Sequence, residues 1–272
     1  MQHRLEINGL IFNVRDEGAG EPVLLIHGFP DDHTVWRKQI PALVAAGYRV
    51  IAPDTRGCGE SQMARATRDY ALPILVADLI GILDALGIGQ VRLVGHDWGA
   101  VIGWAFAARH PERVRRYAAL SVGHAAAYAA GPIEQKVKGW YVLMFQLRGI
   151  AEWAAKAGGW WFLRRFTAQP EEIDQWIANH SRPGRLTAGI NYYRANLGLL
   201  LRPDRTRIKV PVMGVFSTGD RFLAEAQMHG SAAFVDAPFR YERIAGAGHW
   251  LQIEAPNEVN RLLLDFMDEE AA

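Results

Sequence analysis

Three side chains stand in this chain where a covalent hydrolysis would need them. Gly95-His96-Asp97-Trp98-Gly99 follows the strand-like run Val91–Val94 and opens a helical pattern at about Ala100. Small residues two positions either side of Asp97 permit a very tight strand-to-helix turn that presents its side chain at a sheet edge. Aspartate is also a favoured helix N-cap, so this motif alone leaves both readings open. Ser217-Thr218-Gly219-Asp220 then ends a later strand-like run, and Gly246-Ala247-Gly248-His249-Trp250 follows the next. Nucleophile, acid and histidine in that chain order, each after a strand, match a known triad arrangement. Their joint occurrence is far less expected by chance than any single match.

The choice of Asp at position 97 carries chemistry of its own. A serine needs a base to become nucleophilic, whereas a carboxylate with a pKa of about 4 is already ionised at neutral pH. His249, oriented by Asp220, is then free to activate water for a second step. A carboxylate forms a useful covalent intermediate at a saturated carbon bearing a leaving group, giving an alkyl ester that water can cleave. Epoxides and alkyl halides fit that requirement; amides and ordinary esters do not. His27-Gly28-Phe29-Pro30 directly follows the run Val23–Ile26. A backbone N–H from such a loop, with the N–H after the nucleophile, can form an oxyanion hole. Gly28 and Pro30 would also punctuate a loop, and both readings can hold.

The elements that must position these groups are legible in outline. Leu5 to Val14 reads as a hairpin, because Asn8-Gly9 supplies the positive φ angles of a tight turn. Val23–Ile26 is a short continuous apolar run of the kind buried on both faces of a parallel sheet, and Tyr48–Ala52, Val91–Val94 and Tyr117–Leu120 repeat that look, with Arg49 and Arg92 as the charged exceptions. Leu75, Leu79, Ile82, Leu83 and Leu86 recur at helical spacing between them. Strand-like runs resume at Val210–Phe216 and Tyr241–Ile244, and a last helix spans about Asn257 to Met267. The fold class is α/β, with a mostly parallel central sheet flanked by helices. Between them, residues 125–208 change character, holding five of the nine tryptophans and 12 Lys+Arg against 6 Asp+Glu. This stretch reads as an inserted helical lid on a core built from residues 1–124 and 209–272.

Composition sets the bounds. The 272 residues are 50% hydrophobic and 22% charged, ample for a packed core. A formal net charge of +1 gives no electrostatic reason to expect nucleic acid. One cysteine, Cys58, leaves neither an internal disulfide nor a thiolate-rich metal site, and it reads as structural. The N-terminus lacks an apolar signal region and no run of about 18 apolar residues suggests a membrane span, so a cytoplasmic protein without a membrane partner is expected.

The chain resembles the epoxide hydrolases of the α/β-hydrolase superfamily over nearly its full length. His27-Gly28-Phe29-Pro30, Trp36 to Leu43, Tyr48 to Gly57, Gly95 to Gly99, His110 to Val114, Gly248 to Gln252 and Glu254-Ala255-Pro256 carry the resemblance. It implies Asp97 as nucleophile, Asp220 as orienting acid and His249 as base. It also implies Phe29 and Trp98 as the oxyanion N–H donors, and a cis bond before Pro30. Such enzymes carry two lid tyrosines that hydrogen-bond the epoxide oxygen, as phenols with a pKa of about 10 can at neutral pH. Asn191-Tyr192-Tyr193-Arg194 matches one context and singles out Tyr193; Tyr141, four residues before Phe145-Gln146, matches the other.

The expected reaction is therefore opening of a small apolar or aryl epoxide by Asp97, followed by hydrolysis of the ester to a vicinal diol. No cofactor or metal is implied, and a monomer or a homodimer would serve. Phe29, Trp98, Trp140 and Tyr192 are expected to wall the substrate site, with most of the lid tryptophans gluing lid to body. Haloalkane dehalogenases, which share the fold and the Asp-Trp pair, are the alternative, although many carry a polar side chain where Phe29 stands. Fluoroacetate dehalogenases place arginines where Trp98 and Val101 stand, so small carboxylates fit poorly. A non-catalytic ligand-binding protein of the same fold is a third reading, which an intact triad argues against.

Overall fold

The computed structural model describes residues 1–165 and 169–269. Its centre is one eight-stranded sheet in the order β1-β2-β4-β3-β5-β6-β7-β8. The strands are β1 (Gln2–Ile7), β2 (Leu10–Glu17), β3 (Glu21–Ile26), β4 (Tyr48–Pro53), β5 (Val91–His96), β6 (Val114–Leu120), β7 (Val212–Ser217) and β8 (Phe239–Ile244). The first two form the hairpin read from Asn8-Gly9, whose φ angles are 51° and 74°. β2 then pairs antiparallel with β4, and every pairing from β4 to β8 is parallel.

Why these runs became central strands is visible in their burial. Val23, Leu24, Leu25 and Ile26 are all fully buried, although alternate residues point to opposite faces. One face packs Leu24 and Ile26 with α2 (Leu72–Ala85) and α3 (Trp98–Arg109); the other packs Val23 and Leu25 with α1 (Gln39–Ala45) and the C-terminal helix. That last helix, Pro256–Asp268, buries Val259, Leu262, Leu263, Phe266 and Met267 at spacings of one, three and four. Asp78 of α2 is buried by pairing with Arg56, whose Nε and Nη2 donate at 2.7 and 2.6 Å.

Between β6 and β7 the chain is helical and strand-free over its described residues. It forms α4 (Ala125–Ala129), α5 (Ile133–Lys138), α6 (Trp140–Met144), α7 (Ile150–Trp160), α8 (Pro170–Ser181), α9 (Arg185–Ala195) and α10 (Gly198–Leu201). We call this segment the cap. Its tryptophans do not behave as the sequence suggested. Trp176 is buried, but Trp140, Trp153 and Trp161 are more than half exposed, so most of the five are not glue between cap and sheet.

Candidate active site

The loops leaving the C-terminal ends of β3, β5, β7 and β8 converge beneath the cap, the usual place for a site in a parallel sheet. Asp97 leaves β5 with φ 53° and ψ −122°, a conformation an L-residue adopts only when its surroundings enforce it. Gly99 makes the turn possible, because a Cβ there would lie 1.9 Å from the Ile26 carbonyl oxygen. Gly28 is equally constrained, since a Cβ there would sit 2.4 Å from Asp97 Cβ.

This geometry bears on the capping reading of Asp97. It occupies the N-cap position of α3, yet its side chain makes no capping hydrogen bond. Instead Oδ1 accepts the Phe29 N–H at 2.8 Å, and Oδ2 lies 3.4 Å from His249 Nε2. The Phe29–Pro30 bond is cis. Trp98 opens α3, so its N–H is among the helix N-terminal donors that no carbonyl of the helix takes.

His249 Nδ1 faces Asp220 Oδ2 at 2.8 Å. The other oxygen of Asp220 accepts the N–H groups of Phe222 and Leu223, at 2.7 and 3.0 Å, which fixes the carboxylate plane. The His249 carbonyl accepts from Ser121 Oγ at 2.9 Å and lies 2.9 Å from His96 Nε2, and the Phe222 ring packs edgewise on the imidazole. Burial would lower the His249 pKa, but the charges and hydrogen bonds of Asp220 and Asp97 outweigh it and raise the group to about 10. Burial pushes the Asp97 pKa up, and His249 more than reverses that, leaving a carboxylate below its ordinary range. His96, buried beside a cationic His249, is driven down to about 3 and is neutral. The buried His249 ring thus lies between the Asp97 and Asp220 carboxyl groups, both of which favour its protonated form.

An apolar cavity of about 100 Å³ opens on Asp97, lined by Trp98, Val101, Tyr128, Tyr141, Tyr193 and His249 among others. A smaller hollow that also touches Asp97 is closed by Phe29, Phe145, Phe222 and Trp250. Tyr141 and Tyr193 border both, with ring centroids 5.9 Å apart. Burial, with the nearby Asp97 charge, raises both phenols well above their ordinary pKa, so both keep their protons. Tyr193 is held in place by its neighbour in the motif. Arg194 pairs both ways with Glu152 of α7, at 2.7 and 3.0 Å, and its Nε donates to the Phe145 carbonyl at 2.8 Å.

Two expected wall residues lie elsewhere. The Tyr192 hydroxyl donates to the Arg56 carbonyl at 2.7 Å, and the residue is not among those lining the cavity. Trp140 is 56% exposed and leans on Phe162. The reason is shared: adjacent helical residues point about 100° apart, so only one of Tyr192-Tyr193 and one of Trp140-Tyr141 can face inward. Tyr128 on α4 was missed. It follows three alanines, with no motif to single it out, yet it lines the cavity as a third phenol.

Among the described residues, Asp32, His33 and Asp54 are spaced as a metal group might be. Asp54 is already occupied, however, taking His33 N and Nδ1 on one oxygen and Asn13 Nδ2 and Glu60 N on the other. Cys58 is buried, and burial pushes its thiol up to about 12, consistent with a structural role.

An open parallel sheet with an Asp-bearing elbow, an acid and a histidine at successive strand ends defines an α/β hydrolase. The family description "alpha/beta hydrolase fold" matches residues 21–256. Epoxide hydrolase A of Mycobacterium tuberculosis is 34% identical, covering 97% of this chain and 96% of that protein. Epoxide hydrolase 3 of Xenopus tropicalis is 33% identical, covering 98% of this chain and 77% of its own length. The crystal structure of Epoxide Hydrolase A from Mycobacterium thermoresistibile superposes with a TM-score of 0.86 at 30% identity, covering 100% and 99% of the two chains. The chain belongs to the epoxide hydrolase family of α/β-hydrolase enzymes.

Proposed function

We propose that the protein converts an apolar or aryl epoxide to a vicinal diol through an ester on Asp97. The observation that carries this reading is the Asp97 carboxylate, turned away from capping its own helix and toward the cavity that Tyr141 and Tyr193 line. A carboxylate oxygen attacks a ring carbon as the ring C–O bond breaks, and the phenols hydrogen-bond the departing oxygen. That oxygen, held by the phenols, takes a proton from solvent, to which the resting His249 imidazolium yields its own. Esterification also removes the Asp97 charge, so His249 loses one of the two carboxylates that raised its pKa. It becomes a base at the stage that needs one.

In the second step neutral His249 takes a proton from water and the hydroxide adds to the ester carbonyl carbon. The oxyanion is met by the N–H groups of Phe29 and Trp98. Collapse breaks the bond to the alkyl oxygen, which takes up the carboxyl proton and leaves as the diol. Asp97 is a carboxylate again, and His249 keeps the proton taken from water. Residues 125–208 act as the lid over residues 1–124 and 209–272. The names of the relatives support epoxide over halide as the leaving group.

Intact mass spectrometry of His249→Gln, incubated with styrene oxide or with a 1-haloalkane, tests this reading. The expected result is a mass gain equal to the whole epoxide. A gain equal to an alkyl group without halogen would assign dehalogenation instead, and no adduct with either would overturn the covalent mechanism.

A further inference from the structure

The loop that carries Asp220 is held from above by the cap, through two side chains of α5. Gln135 is almost fully buried, and both ends of its amide are used: Nε2 donates to the Phe222 carbonyl at 3.2 Å and Oε1 accepts the Ala224 N–H at 2.8 Å. Lys138 Nζ donates to the carbonyls of Asp220 and Leu223 at 3.0 and 2.7 Å, and pairs with Glu134 at 3.1 Å. These contacts fall on particular peptide planes. The Phe222 carbonyl and the Leu223 N–H belong to one peptide unit. Gln135 holds its carbonyl end, while its N–H end donates to Asp220 Oδ1. The next unit, from the Leu223 carbonyl to the Ala224 N–H, is gripped at one end by Lys138 and at the other by Gln135. From below, the sheet side holds the start of the same loop through the Thr218 and Gly219 N–H bonds to Ile244 and Ala247 and through the Gly246 N–H bond to Thr218 Oγ1.

We infer that Gln135 and Lys138 are positioning residues that set the Asp220 carboxylate against His249, so that the docked cap assembles the water-activating half of the site. This rests on the covalent reading above. Attack on the epoxide needs Asp97 and the phenols; cleavage of the ester needs His249 correctly aimed by Asp220. Loosening the clamp should therefore slow the second step and leave the first largely intact.

Gln135→Met keeps the side chain's length and removes both hydrogen bonds. Its single-turnover reaction with styrene oxide, followed by rapid-quench mass spectrometry, is expected to form ester at close to the unmodified rate. Ester decay should slow on the order of 10- to 100-fold, the cost of a small misplacement of a reacting group. Lys138→Met should show the same split to a lesser degree, because water can replace part of a half-buried ammonium, and Lys138→Arg should restore decay. Equal decay rates in Gln135→Met and the unmodified enzyme would overturn the inference. So would losses in both steps that simply track a lowered melting temperature. His249→Gln, run beside them, separates the two claims: its failure to trap an ester removes the covalent reading and the clamp together, whereas a trapped ester with unchanged clamp variants removes the clamp alone.

Discussion

At the scale of single residues, the site works by contrast between neighbours. Asp97 and Asp220 are both buried carboxylates, yet one points into the cavity and the other is pinned by two backbone N–H groups and the imidazole. Their types and order were readable from the sequence because chemistry restricts what can stand there, and the elbow restricts where. Tyr128 left no such trace, since any large side chain on α4 would leave the same pattern. Tyr193 offers the sharpest test of the division of labour between the phenols and the triad. In the proposed reaction it hydrogen-bonds the leaving oxygen, so Tyr193→Phe is expected to slow epoxide opening about 100-fold or more, the usual worth of one donor to a developing oxyanion. Ester hydrolysis should be little changed. Single-turnover rates of ester formation and decay read the two steps separately, and equal losses in both would count against the assignment.

Elements come next, and here the elbow is the tightest joint in the fold. Gly99→Ala would drive a methyl group against the Ile26 carbonyl, so β3 and α3 would have to part. The expected cost is about 1–3 kcal/mol, as for other overpacked sites, with activity lost because Phe29 no longer reaches Asp97. Gly9→Ala is the control. Its φ of +74° is strained for alanine, but nothing lies within 4 Å of the added Cβ, and activity should be kept. Urea unfolding with a turnover assay distinguishes the two, and a fully active Gly99→Ala enzyme would refute the packing argument. The same physics explains what the sequence revealed. Strands buried on both faces must be mostly apolar, so Val23–Ile26 announced itself, and Val91–Val94 did so despite Arg92. The cap tryptophans misled because burial of an aromatic depends on which face of a short helix meets the sheet. Trp176 meets it, donating to Asp31 from α8, while Trp153 on α7 faces outward.

For the whole molecule, cap and core are joined by buried polar groups rather than by apolar contact alone. Trp176 from the cap and Trp250, next to His249, donate to the two oxygens of Asp31 at 2.8 and 2.9 Å. The imidazole of His180 lies 2.9 Å from the Pro30 carbonyl through Nε2. Many of the histidines are consequently buried, and their environments push them in opposite directions. Burial lowers His96 to about 3 and His124 and His180 to about 4, against an ordinary 6.5. Unfolded chains bind protons at these positions that the fold does not, so stability is present above about pH 6.5 and lost as pH falls toward 4 and 3. His249 has the reverse sign. Burial is overcome by Asp220 and Asp97, the folded pKa rises to about 10, and the stability it contributes is present below pH 6.5 and lost between there and about 10. Thermal melts across pH 4 to 10 should therefore peak near neutrality. His249→Gln should flatten the alkaline limb while leaving the acid limb in place. Asp97→Asn removes one of the two carboxylates, so its alkaline limb should end at a lower pH than that of the unmodified protein. An alkaline limb that is the same in all three proteins would show that the imidazolium is not held between the carboxylates, and the proton economy proposed for the reaction would fall with it.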